Sequence, residues 1–536
     1  MVPRVSAVVP RPKTGASPTR PGRQQRAGRT LFWLTAAATF MVTLARNTWV
    51  FGEHVYEHGD AALNTMMVQN SFHQLLLVGP VSRVGFPHPG PAYMYVLTVG
   101  QALFHDWLPL TASAYGGQFI ADLILQSVLL GFVVRTVYRF ARSVPAALVG
   151  FGLVFWFATS RDMLGETWLP NLYMTAFALL IVSSVAITAG RTRELPLLAL
   201  SGALLIHGHV AFLFFVGITW LVSVVAWFWL HRAGLREEIR ASRRSLWASL
   251  VVLVIFAVPM VLEVVLHYPG PWPDYLAYNG AGSGHGFGSG LRFLGHFWTA
   301  SYPASVAVLA LAAAGAGLLL DQEPPRLRLF VRAYLMLILQ TLLFLFYILR
   351  GIDELVPVNH YTGFFYETVP MCLLVFPAVH LWLVVGDFLS DRLVIRRSLG
   401  WAALAGVLVL MVVGALAPSL RLPNRSYPSA GALTNALQSS KERAGRPVVL
   451  RFLPNEWSVS AAVLVQARRQ GLTACAADPY WRGLFTLTEM CPTSAGHWAI
   501  AVVARSDYHG GQRVIWSDDS YVAFEGTVPN MALAAK

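Results

Sequence analysis

Residues 31–60 read LFWLTAAATFMVTLARNTWVFGEHVYEHGD. The run from Leu31 to Leu44 is apolar without alternation, Arg46 closes it, and the chain then turns polar and reaches Gly59-Asp60. An unbroken apolar run predicts a helix that keeps its backbone N–H and C=O groups paired inside lipid, and excludes a β-barrel. The stretch therefore reads as a first membrane span, uncleaved, followed by an acidic loop at the membrane surface.

Working outward, similar runs recur along most of the 536 residues, of which 55% are hydrophobic and 12% charged. A soluble chain is nearer a quarter charged. Runs of about 20 apolar residues suit the ~30 Å hydrocarbon layer. Eleven spans are expected, centred on 31–46, 113–134, 144–160, 171–189, 195–209, 210–230, 246–267, 302–320, 329–349, 362–385 and 399–417. The fold class is an all-α polytopic membrane domain, 31–419, with a small C-terminal α/β domain, 420–536. Residues 1–30, rich in Pro, Arg and Ser, read as a disordered basic tail.

Arginines fix the expected orientation. Arg135, Arg139 and Arg142, then Arg191 and Arg193, then Arg232, Arg236, Arg240, Arg243 and Arg244 fall in alternate loops, on the side of the tail. The intervening loops are poor in them, which places the N-terminus in the cytoplasm. The same placement explains the net charge of +13 without nucleic acid. Residues 92–105 span only ~21 Å as a helix, so they read as an interfacial or re-entrant helix within one large outer loop, 46–112. The C-terminal domain then lies outside the plasma membrane. Cys475 and Cys491 fall in it, where an oxidising compartment favours a disulfide over two free thiols. Strands are expected at Pro447–Phe452 and Trp498–Ala504, a weaker one at Arg513–Trp516, and helices at Val459–Arg469 and Gly431–Arg443.

Polar residues gather in the outer loops. Asp60 is either a helix cap at the surface or a general base. The second outer loop carries Arg161, Asp162, Glu166, Trp168 and Asn171. His207 and His209 sit at membrane depth, where ionisable groups face a cavity or a partner helix. Loop 268–301 reads as a flap or a linker. Arg350, His360 and Tyr361 lie before a late span, at the level of lipid phosphates.

This layout resembles the polyprenyl-phosphate-sugar-dependent membrane glycosyltransferases of the GT-C fold. That group includes protein O-mannosyltransferases, aminoarabinose transferases and actinobacterial arabinosyl- and mannosyltransferases. Asp60 matches the acid that opens the family's first outer loop, and His88-Pro-Gly-Pro-Ala-Tyr93-Met-Tyr95 matches its turn and apolar helix. Asp162 and Glu166 match the second-loop acid, and Asn359 to Pro370 matches a late Tyr-then-Pro stretch. The acidic pair common in the family is Gly59-Asp60 here, with one acid. The resemblance implies inverting transfer from a polyprenyl-phosphate sugar to a cell-envelope glycan or lipid. In that reading Asp60 is the base, aided by Glu166 or Asp162. Arg350, His360, Tyr361, His88 and Tyr93 hold the donor, and His207, His209, Trp168 and Asn171 line the acceptor cavity. An arginine or a divalent cation stabilises the leaving phosphate. The high Arg, Ala and Gly content suits a high-GC bacterium, for which arabinose or mannose on decaprenyl phosphate is the expected donor. Two other classes fit the layout: a lipid or glycolipid flippase, and a non-catalytic cell-envelope assembly protein.

Overall fold

The computed structural model describes residues 21–80, 85–278, 285–350, 360–389, 398, 402–410, 426–440, 446–477, 485, 487–491 and 498–526. Each expected span falls on a helix, with 402–410 of the last among the described residues. The first half comprises α1 (Pro21–Arg46), α2 (Asp60–Ser71), α3 (Ala92–Gln101), α4 (Ala114–Ala141), α5 (Val144–Ser160), α6 (Leu169–Thr188) and α7 (Leu195–Gly208). The second half comprises α8 (Phe212–His231), α9 (Arg243–Leu266), α10 (Phe287–Ser301), α11 (Ala304–Leu320), α12 (Pro324–Leu349) and α13 (Thr368–Phe388).

Helix α1 starts ten residues before the expected span, so part of the expected tail is helical. Gln, Arg and Ala dominate that segment and propagate a helix already nucleated in the span, and Pro21 is tolerated in the first turn. Seven described helices are long and apolar enough to cross a membrane, and an eighth forms if α10 and α11, bent by 92°, act as one. The difference from eleven arises at the bent pair, at two short helices, and at 399–417, of which only 402–410 are described. Helix α7 has 14 residues and α5 has 17. Both pack mainly against protein, so neither needs the full hydrocarbon length. Helix α6 is the axis of this bundle, its apolar window wholly buried. Helix α9 is the opposite case, apolar with no buried residue, and so faces lipid.

Helix α3 continues as a π-helix over Ala102–Trp107 and lies against α4. The crossing is close because Gly100 and Gly117 meet: a Cβ on Gly100 would stand 2.5 Å from the Gly117 carbonyl oxygen. This holds the outer-loop helix onto the bundle.

Beyond the spans, α14 (Pro428–Ser439) and α15 (Trp457–Arg469) pack on a five-stranded sheet. Its strands are β1 (Val448–Phe452), β2 (Ala474–Ala476), β3 (Trp498–Ala504), β4 (Val514–Ser517) and β5 (Tyr521–Glu525), in the order β2-β1-β3-β5-β4. Strand β1 pairs parallel to β2 and β3, with Val449 opposite Cys475 and Ala499, while β3–β5 and β5–β4 are antiparallel. Near-continuous burial of β1 and β3 is what a parallel centre requires. Strands β2 and β5 were not expected from sequence. Cys475 and Cys491 form a disulfide that ties β2 to the segment after Leu487.

Candidate active site

The core of the C-terminal domain does not stop at its own residues. Ala62 and Met66 of α2 pack into it beside Val459, Val463 and Leu433. Glu57, wholly buried, pairs with the Arg469 guanidinium through two hydrogen bonds of 2.5 and 2.6 Å and accepts another from Gln466. The backbone N–H of Tyr427 bonds Tyr56 O, and that of Gly59 bonds Ser458 O. At the far end of α2, Asn70 bonds Thr488 and Arg468. The loop carrying Asp60 is thus held at both ends by the C-terminal domain, which places the two on one side of the membrane.

Gly59 turns the chain into α2 with φ +59°, a conformation glycine adopts at little cost. Gly59 is the N-cap and Asp60 the first helical residue, so Asp60 does not cap the helix. Its carboxylate Oδ2 accepts a 3.0 Å hydrogen bond from the Trp168 indole. His58 lies close enough for Asp60 to act on its titration: burial lowers the imidazole and the Asp60 charge partly offsets this. Tyr173 of α6 feels the Asp60 charge, and its hydroxyl donates to Gly208 O at 2.6 Å. From there the contacts run on, Tyr173 to His209 at 6.3 Å between ring centroids and His209 to His88 at 4.3 Å.

His88 is 8% exposed, and its Nδ1 has no hydrogen-bond partner among the described residues. Burial first, then His209, holds its imidazole well below the ordinary range, so it is neutral at neutral pH. The turn around it is fixed by the Gly79 N–H to His88 O bond and by Tyr275, whose hydroxyl donates to Pro87 O. Between α3, α7 and α9, an apolar groove of about 250 Å³ is lined by Leu75, Tyr95, His207, Ile255, Phe256 and Pro259, among others.

The second outer loop is braced from several sides. The Tyr93 hydroxyl donates to Thr167 O at 3.0 Å, and Arg161 makes a two-pronged pair with Glu367 while also donating to Ala300 O. Trp168 stacks edge-on against Phe364. The acids of this loop turn elsewhere than expected. Glu166 is buried and accepts from Asn171 at 3.5 Å, and Asp162 acts on Arg46 at the end of α1. From this loop the Trp168 indole reaches Asp60.

His207 lines the apolar groove. Its Nδ1 accepts from the Ala92 N–H at 3.4 Å, which leaves Nε2 protonated to donate to Phe256 O at 2.8 Å. Both nitrogens are engaged, so the ring edges the groove as a tie between α3, α7 and α9. Arg350 is exposed at the end of α12. The side chains of His360 and Tyr361 lie outside the described residues. No group of three or more His, Cys, Asp or Glu residues is placed to hold a metal ion among the described residues, so no chemistry below passes through one.

One residue missed in the sequence is Asp122, in the middle of α4 and 1% exposed. It accepts from Gln126 at 2.8 Å and faces the Tyr93 hydroxyl. A lone acid inside an apolar run was the signal available.

This bundle, with its outer loops folded under a C-terminal α/β domain, is a GT-C fold. It is similar to the crystal structure of ArnT from Cupriavidus metallidurans bound to undecaprenyl phosphate. The TM-score is 0.57 at 13% identity, over 92% of this chain and 97% of that one. The apo structure of the same ArnT gives 0.56 and 14%, over 94% and 98%. At such identities the likeness shows the fold. No protein-family model and no curated protein matches the sequence.

Proposed function

We propose that this chain is an inverting glycosyltransferase that moves a sugar from a polyprenyl phosphate to a hydroxyl of a cell-envelope glycan or lipid. The observation that carries the reading is the Asp60 carboxylate held by the Trp168 indole, with the Tyr173, His209 and His88 rings grouped nearby and an apolar groove between α3, α7 and α9. The groove suits part of a polyprenyl tail. His88 Nδ1, buried and unpartnered among the described residues, suits a phosphate oxygen or sugar hydroxyl. Asp60 takes the proton of the acceptor hydroxyl as its oxygen attacks the anomeric carbon. The bond from that carbon to the phosphate oxygen breaks, and polyprenyl phosphate leaves with the electron pair. The likeness to a structure holding undecaprenyl phosphate supports the donor class. A pentose or a hexose both fit this scheme.

The test is transfer by membranes given a panel of polyprenyl-phospho-sugars. Asp60→Asn should lower turnover by about 10²–10⁴, the usual worth of a positioned base. Full activity in that variant removes Asp60 as the base. A second reading, a non-catalytic assembly protein, draws on the engagement of Glu166 and Asp162 with other residues. It predicts that the wild type transfers nothing from any donor in the panel.

A further inference from the structure

Helix α4 has 28 residues, so about 42 Å separates its Ala114 end, near the Asp60 site, from its Arg139 end. At that far end is a cavity of about 370 Å³. Arg139, Arg142, Arg191, Arg193, Glu194 and the first turns of α1 line it. Glu194, 1% exposed, is the lone carboxylate of this lining and is paired with Arg139. Three guanidiniums, of Arg142, Arg191 and Arg193, remain beyond that pair.

Arg191 does not reach into water as a membrane-edge arginine ordinarily does. It donates to the Arg139 carbonyl and lies over the Phe140 ring, 5.2 Å from its centroid. Burial, and then the charge of Arg142, pull it down to about 10 despite Glu194. The inward-positive bias of membrane loops places arginines on this face, but does not require one to be half-buried beside its like. A buried charge costs free energy unless a counter-charge accompanies it. Forked guanidiniums around a concave surface match the tetrahedral oxygens of phosphate.

We propose that this pocket binds a phosphate-bearing anion, supplied in the bilayer by the headgroup of an anionic phospholipid. The site lies at the end of the bundle where headgroups reside, and its floor carries the Tyr138 ring. It is independent of the chemistry at Asp60.

Full-length protein in detergent micelles, studied by native mass spectrometry with phosphatidylglycerol, phosphatidylcholine or inorganic phosphate, tests this. The wild type should retain phosphatidylglycerol over zwitterionic phosphatidylcholine. The Arg142→Ala/Arg193→Ala variant changes two exposed side chains. It should retain on the order of tenfold less, the worth of about one charge-assisted hydrogen bond. Arg244→Ala/Arg328→Ala, altering exposed arginines outside the pocket lining, should retain it as the wild type does. Displacement of the lipid by inorganic phosphate would support a site for phosphate from either source, and resistance to displacement a site for the lipid. Equal loss in both double variants, or none in the first, overturns the site.

Discussion

At the residue scale the decisive contact is between Asp60 and the Trp168 indole. A carboxylate that must take a proton has to point at one place, and a charge-assisted hydrogen bond of about 1.5–3 kcal/mol fixes its direction. Trp168→Phe keeps an aromatic side chain against Phe364 but removes that donor. The expected outcome is a fall in kcat of about tenfold or more with donor KM little changed, since positioning rather than binding is impaired. Trp168 stood out in the sequence by its place in a polar loop, but its pairing with Asp60 was not legible there. The two are 108 positions apart, and nothing in either local pattern names the other.

A second residue ties stability to pH. Asp518 accepts from the Tyr427 hydroxyl at 2.7 Å and from the backbone N–H groups of Ser520 and Tyr521. Burial pushes its carboxyl up, but these bonds and one from Ser429 outweigh it and hold it below the ordinary value. The unfolded chain then binds the proton more readily. The stabilisation is therefore complete above the unfolded value of about 4 and disappears as pH falls through the folded one. Hydrogen exchange across residues 498–526 from about pH 6 to pH 3, wild type against Asp518→Asn, should show a loss of protection that the variant lacks. Identical profiles would count against the assignment.

At the element scale, α2 is a helix with two hosts. Its first turn carries the proposed base, one side enters the core of the C-terminal domain, and Thr65 bonds Gln118 of α4. Glu57 and Arg469 join these hosts through a pair in which the carboxylate is wholly removed from water. Breaking such a pair from one side leaves an uncompensated buried charge, worth about 3–5 kcal/mol. Arg469→Ala should lower the thermal midpoint of the C-terminal domain. Glu57→Gln/Arg469→Met, which removes both charges, should recover much of it. A single variant as stable as wild type would mean that the pair does not hold the loop. Sequence periodicity identified α15 nearly to its ends and gave β1 and β3. It missed β2, which has three residues and exists only because β1 offers it an edge.

At the scale of the whole molecule, the question is which face is which. The C-terminal domain and the Asp60 loop are on one side, and the arginine pocket is at the other end of α4. The arginine count predicts the first side to be outside. After mild reduction, a membrane-impermeant maleimide should label Cys475 or Cys491 in intact cells and leave the buried Cys372 unmodified. Labelling that needs lysed cells would reverse the orientation. The sequence by itself determined that the chain is a helical membrane protein, where its helices lie, and that an α/β domain follows. Those features depend on local hydrophobicity and periodicity, which a linear reading contains. Tertiary structure decided that α5 and α7 are short and buried in protein, that Glu166, Asp162 and His207 are tied to structural partners, and that Asp122 sits behind Tyr93. It also decided that the tail domain clamps the loop at Asp60. Apart from Glu166 with Asn171, five positions away, these are contacts between residues distant in sequence, selected by packing and by the need to pair buried charges and polar groups, and no local pattern encodes them.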